Sequence, residues 1–330
     1  VEKIILQDEL NLKQAQRVAI ELRNVLEGKE VELVLEALRF CTPSGILFLA
    51  SELKNIVGYR QFFELPDLVI NYDQSDPGFT YLCHVGFFRF FDHDLGKSPG
   101  QAKGSDTYIP IRTIPRFAIE ASKAHISEPV GSPISKIADD LAIVLTKSQD
   151  FKRFKPISYC IREVVRNVFE HSEADSCAMI GQSWKDDTVE IAFCDRGIGI
   201  RNSLSRKYDL TGENSLLFAI RPGISRSDTT IETENPWANS GFGLYVLSEL
   251  GSKLGEFALV SGDESVVCAN NAVNETEYTF QGTFVQLRLR RPHGENFPNF
   301  IKNIVTNGES EAKANGLTGR ASISSGSLSV

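Results

Sequence analysis

The stretch Glu163–Ile200, EVVRNVFEHSEADSCAMIGQSWKDDTVEIAFCDRGIGI, decides how the chain is read. Glu163 and Asn167 stand four residues apart, so on a helix they share one face, while Val164, Val165, Val168 and Phe169 point in other directions and can pack. SCAMIGQSW and TVEIAFCD then read as two strands around the turn KDD. The second strand ends in Asp195, followed by Gly197 and Gly199 at alternate positions. Glycines there let a backbone approach a flat ligand and adopt positive φ, and a carboxylate beside them can accept from an exocyclic amine. Taken alone, ExxxN is a solvated helix face and DRG an ordinary turn.

Further along, NSGFGLYVLSEL places Gly241 and Gly243 before a helix, whose free N–H groups favour phosphate oxygens. Gly282 and Thr283 open the strand GTFVQLRLR, and the Thr hydroxyl can reach a base directly or through water. There is no GxxxxGK[ST] loop anywhere in the chain.

In this order the motifs resemble the GHKL superfamily, the ATP-binding fold of histidine kinases, type II topoisomerases, heat-shock chaperones and mismatch-repair ATPases. REVVRNVFEHS is similar to its N box, DRGIGI to its first glycine box and SGFGLYVL to its second. The wording is nearest the anti-sigma-factor serine kinases. The resemblance covers residues 116–292 and implies an α+β fold of Bergerat type, a mixed sheet covered by helices. It implies ATP and Mg2+ as cofactors, with Glu163 catalytic and Asn167 both a nucleotide contact and the magnesium ligand. Asp195 would read adenine, with Gly197 and Gly199 beside the base and Thr283 near it. Ser240, Gly241, Phe242, Gly243 and Leu244 would wrap the phosphates, and residues 201–240 would be a mobile lid. Arg221 and Arg226 can reach phosphates from that lid or be plain surface arginines. His171, four residues after Asn167, is a ligand contact or a helix-surface hydrogen bond.

Before this domain, residues 1–91 alternate helical and strand patterns and form a small α/β domain. LKQAQRVAIELRNVLEG has helical spacing, VELVLEAL and DLVINY read as strands, and GFTYLCHVGFFRFF resists assignment. VELVLEALRFCTPSGILFLASEL resembles the STAS fold of anti-anti-sigma factors, with Ser44 at the phosphoacceptor position. CTP replaces the acidic turn of that family and Glu36 its strand-end aspartate; Thr42 or Ser44 as a helix cap is the other reading. Residues 92–115 read as a linker or long loop. The polar tail, residues 293–330, reads as disordered from about residue 306.

The chain has 330 residues, 42% apolar and 24% charged, with a net charge of -8. Two domains are expected, and an acidic chain argues against general nucleic-acid binding. No apolar run suits a membrane helix and no signal peptide is visible at the start. Six cysteines without CxxC spacing read as buried thiols of a reducing, cytoplasmic protein. The functional expectation is an Mg-dependent ATP-binding regulatory protein, an ATPase or anti-sigma-type serine kinase. The alternative is a nucleotide-switched partner-binding protein with little turnover. A protein partner is expected through the first domain, and a homodimer is left open.

Overall fold

The computed structural model describes residues 1–25, 29–125, 132–224, 241–290 and 297–317. The chain forms two compact units. The first comprises Val1–Thr113 with Ala178–Gln182 and Glu190–Cys194; the second comprises Ile114–Cys177, Ser183–Val189 and Asp195–Val330.

Unit one begins β1 (Glu2–Leu10), α1 (Leu12–Asn24), β2 (Val31–Cys41), α2 (Pro43–Phe62), β3 (Val69–Tyr72). The three strands pair in parallel in the order β1-β2-β3, which their helical crossovers require. The strand β1 is an element that the reading of the sequence passed over. Asn11 caps α1 by accepting from the Gln14 N–H at 3.0 Å, and Leu12, Ala15, Val18, Ala19 and Leu22 form its buried face.

The helix α2 differs in kind. Every residue from Pro43 to Leu53 is buried, so its first half is enclosed on all sides rather than amphipathic. Thr42 caps it, accepting from the Gly45 N–H, and Pro43 occupies the first turn. Ser44 is 2% exposed, and its N–H donates to Glu190 Oε1 at 3.0 Å. Capping by Thr42 therefore accounts for the CTPSG turn, and the Ser44 hydroxyl is enclosed beside Thr42 Oγ1 at 3.0 Å.

The unassigned aromatic run folds as α3 (Pro77–Val85) and α4 (Phe87–Phe90), separated by Gly86 at φ 91°. The segment 92–115, expected as a linker, ends in a strand, β4 (Tyr108–Pro115), on the edge of the larger sheet. Its prolines obscured the signal; an edge strand tolerates Pro because one side of it needs no ladder donors.

Unit two carries α5 (Arg116–His125), α6 (Ser132–Thr146) and α7 (Phe151–Asn167), then a π-helical turn, Val168–Ser172. The strands β5 (Ser176–Ser183) and β6 (Thr188–Asp195) follow as the expected hairpin, closed by Trp184 N–H to Thr188 O at 2.8 Å, and supply residues to both units. Next come α8 (Gly199–Leu204), α9 (Ser215–Ala219), α10 (Gly243–Leu254), β7 (Gly255–Gly262), β8 (Glu264–Ala269), β9 (Ala272–Glu275) and β10 (Phe280–Arg290). The seven-stranded sheet has the order β4-β5-β6-β10-β7-β8-β9, with β10, β7, β8 and β9 antiparallel in succession. The α+β class expected from the sequence is present.

A last helix, α11 (Phe297–Ala314), replaces disorder over the start of the tail. Ile301, Ile304, Val305 and Ala312 are buried, and α11 packs on α10. A Cβ on Gly308 would lie 2.4 Å from Tyr245 Cε1, so a glycine lets the two helices meet. The disorder expected from about residue 306 begins after Ile301, Ile304 and Val305, most of the stripe that fastens the helix.

Candidate functional site

The helix α7 ends at Asn167 and widens into the π turn, an arrangement frequent at functional sites. His171 is half-buried, with its Nε2 3.9 Å from Glu170 Oε2. Asn167 itself is half-buried at the junction.

Ser172 is a residue that the sequence did not single out, yet it organises the turn at Gly197. Its carbonyl accepts from the Ile198 N–H at 2.8 Å. A Cβ on Gly197 would stand 2.0 Å from that same carbonyl oxygen, so only glycine fits there. The Ser172 hydroxyl donates to Val168 O at 2.6 Å and accepts from Ala174 N–H at 3.0 Å, which holds the π turn closed. Arg116 braces the same turn, donating to Phe169 O at 2.8 Å and Ala174 O at 2.9 Å.

Asp195, 3% exposed at the end of β6, accepts from the Gly197 N–H at 2.8 Å. Burial pushes its carboxyl up to about 6, against the lowering pull of the Gly197 N–H, the Thr283 hydroxyl, Arg196 and Ser172. Thr283 reaches Asp195 because β10 slips register against β7 between Phe280 and Thr283. At that slip Gly282 takes φ 101°, and a Cβ there would lie 2.1 Å from Asp195 O. Ser261 joins the two glycine positions: its hydroxyl donates to Gly282 O at 2.7 Å and accepts from Ile200 N–H at 2.9 Å. Gly199, at φ 77°, lies over that hydroxyl. Asp195, Gly197, Gly199 and Thr283 are thus brought together, with Ser172, Ser261 and Gly282 as their unforeseen supports. No local signal marks either serine, because the bonds that join Ser172 O to Ile198 and the Ser261 hydroxyl to Gly282 and Ile200 are distant in sequence.

Glu163 is 4% exposed and belongs to a second group. A Cβ on Gly243, the first residue of α10, would lie 2.5 Å from Glu163 Oε2. The carboxylate therefore sits against the N-terminal turn of α10, where the free N–H groups favour negative charge. Arg162 lies beside it, 3.5 Å from Oε1. Phe242 is fully buried, and Gly241, at φ 72°, accepts from the Gly223 N–H at 3.1 Å. Ser240 and Arg226 lie outside the described residues.

The proposed lid is folded over its first half. Leu204, Leu210, Ala219 and Ile224 form a buried cluster, packed by Ile200, Tyr208, Phe218 and Leu244. Glu264 pins it, accepting from the Ser215 N–H at 3.0 Å, the Ser215 hydroxyl and Arg201. Arg221 stacks on Phe218 and lies 3.7 Å from Glu213, the surface arginine of the two readings. Leu244 thus packs in this cluster as well as opening α10. Residues 201–224 are therefore not the irregular segment expected from their polarity; the apolar residues are spaced for a tertiary cluster rather than for one helix face.

Among the described residues, no group of three or more His, Cys, Asp or Glu side chains is placed to hold a metal ion. Nor is any helix among them long and apolar enough to cross a membrane. Comparison with protein-family models, with curated proteins and with solved structures gave no match.

Proposed function

We propose that residues 116–292 bind Mg-ATP, with Asp195 reading the adenine amine. The observation that carries this reading is a buried carboxylate at a strand end, flanked by Gly197 and Gly199 and shared with Thr283. At neutral pH it is an ionised acceptor among small residues, the chemistry that an exocyclic amine needs. The donor set also fits the rest of the nucleotide. The start of α10 supplies free N–H groups for phosphate oxygens, and the Asn167 amide oxygen suits a magnesium ion that keeps most of its waters. Magnesium would supply charge neutralisation at the phosphates; Glu163 would orient or deprotonate the attacking hydroxyl or water. On this reading the Bergerat-type arrangement serves an ATPase or a serine kinase, and the first domain recognises a protein partner.

The enclosure of Glu163 favours a second reading, a nucleotide-switched binding protein with little turnover. A general base has to reach the proton it removes, and this carboxylate is covered by the first turn of α10.

Calorimetric titration of Mg-ATP into the wild type and Asp195→Asn tests the shared part. Binding should be lost in the variant, because an amide presents a donor where an acceptor is needed, a penalty of about 1.5–3 kcal/mol for a charge-assisted bond. Equal affinity in a folded variant would remove the adenine-reading role. Steady-state phosphate release then separates enzyme from switch: Glu163→Ala should bind normally and lose about 10²–10⁴ in turnover if Glu163 is the base.

A further inference from the structure

In unit one, His84 stands in the last turn of α3, and the segment that follows folds back onto it. Lys97 N–H donates to Cys83 O at 2.9 Å. Gly96, at φ 73°, would place a Cβ 2.5 Å from that same carbonyl oxygen, and Gly86 one 3.2 Å from Pro99 N. Two glycines therefore let the loop lie flush on the end of α3. The result is an unusual pair: Lys97 Nζ lies 3.0 Å from His84 Nδ1, while His84 Nε2 meets the Tyr108 hydroxyl. An ammonium only donates, so Nδ1 is the bare acceptor and Nε2 carries the hydrogen. The Tyr108 oxygen then accepts, and its own O–H is left to donate.

The usual ion-pair partner of a lysine ammonium is a carboxylate. Among the described residues neither Lys97 nor His84 has one within 4.0 Å. The titratable groups facing His84 are Lys97 and Tyr108. Beside them, Cys83 is kept as a neutral thiol by burial, and Tyr81, whose ring packs edge-on to Tyr108, donates its hydroxyl to Gln182 Oε1 at 2.9 Å. Burial, then Lys97, hold His84 below the usual imidazole range, so at neutral pH it is uncharged.

We propose that Lys97, His84 and Tyr108 form an oxyanion site for a phosphate group, and that binding of the dianion is coupled to uptake of one proton by His84. Bound phosphate takes the Lys97 ammonium as its partner, which frees Nδ1 to accept a proton from solvent and to donate in turn. Two positive charges then face two negative ones. A phosphate dianion suits this better than a carboxylate, because its two negative charges match the Lys97 ammonium and the protonated His84. The site stands apart from the nucleotide reading of unit two.

The test follows the His84 ring signals by NMR across pH in the full chain, assigned with His84→Gln among the five histidines. Titrations are run in inorganic phosphate and in chloride of equal ionic strength. Phosphate should raise the His84 pKa by about one unit or more, and Lys97→Met should abolish the difference. The same titration in both salts, or a rise that survives Lys97→Met, would overturn the proposal. A phosphoserine peptide gives the second arm. A larger shift than with inorganic phosphate at equal concentration assigns the site to a phosphorylated protein segment, and an equal or smaller one to free phosphate.

Discussion

Glu163 Oε2 lies where a Cβ on Gly243 would come within 2.5 Å of it. A buried carboxylate on α7 and the first residue of α10, eighty positions later in the chain, are thus packed against each other with no room for one methyl group. That contact joins the two motifs in one structural unit, and a Cβ at 243 would require the Glu163 carboxylate to shift.

Gly243→Ala should therefore destabilise the fold by about 1–3 kcal/mol through overpacking. In a Glu163→Ala background most of that cost should disappear, because the clashing atoms are gone. Urea unfolding of the four proteins measures the coupling. Additive effects would show that the contact carries no energy.

Gly197→Ala and Gly282→Ala should be among the most damaging glycine substitutions, since each Cβ would meet backbone oxygen, at 2.0 and 2.1 Å. Backbone cannot swing aside as a side-chain end can, and Gly282 carries positive φ besides; losses above about 3 kcal/mol are expected. Gly58, within α2 and with nothing within 4 Å of its Cβ position, gives the contrast. Gly58→Ala should stabilise by about 0.4–1 kcal/mol. Thermal melts of the three variants rank them.

The pH dependence of stability has a definite sign at Asp195. Its carboxyl is raised to about 6 in the folded chain, so between the ordinary carboxylate range and pH 6 the folded state holds the extra proton. Its contribution is fully present below about pH 4 and is lost as pH rises through 6, by up to about 3 kcal/mol. Asp195→Asn should flatten this decline in urea-unfolding series between pH 4.5 and 7.5. ATP affinity should run the other way and weaken as pH falls below 6, since the protonated acid no longer accepts on both oxygens.

Asn167→Ala should weaken ATP binding in magnesium and leave any binding in EDTA unchanged. On the proposed reading Asn167 is a magnesium ligand, so its loss acts only through the metal. Equal weakening in both conditions, read by calorimetry, would make Asn167 a direct nucleotide contact instead.

Hydrogen exchange should find the amides of α8 and α9 protected without nucleotide. The Leu204–Ile224 cluster and Glu264 hold them. Glu264→Ala should raise exchange there while leaving β7 and β10 slow. Rapid exchange of α9 in the wild type would restore the whole of 201–224 to the mobile lid.

Local chemistry made much of this legible from the sequence. Alternation and turn residues marked the β5–β6 hairpin, helical spacing marked α1 and α7, and the glycines after Asp195 marked positive φ, which Gly199 adopts. These signals are short-range, and each reports a demand that a few neighbouring residues make on one another. The fate of the polar segments was decided elsewhere. Nothing in DTYIPIRTIP announces a sheet edge, and α11 has its reason in Tyr245, which needs Gly308 across the helix pair. The apolar residues from Leu204 to Ile224 follow no single period because they bury one another in three dimensions. Likewise Ser172 and Ser261 acquire their roles only when the π turn, the end of β6 and the slipped register of β10 meet around Asp195. Sequence determined which backbone shapes were affordable at each position. Tertiary structure decided which buried donors and acceptors found each other, because hydrogen bonds between distant segments are set by packing and leave no periodic trace along the chain.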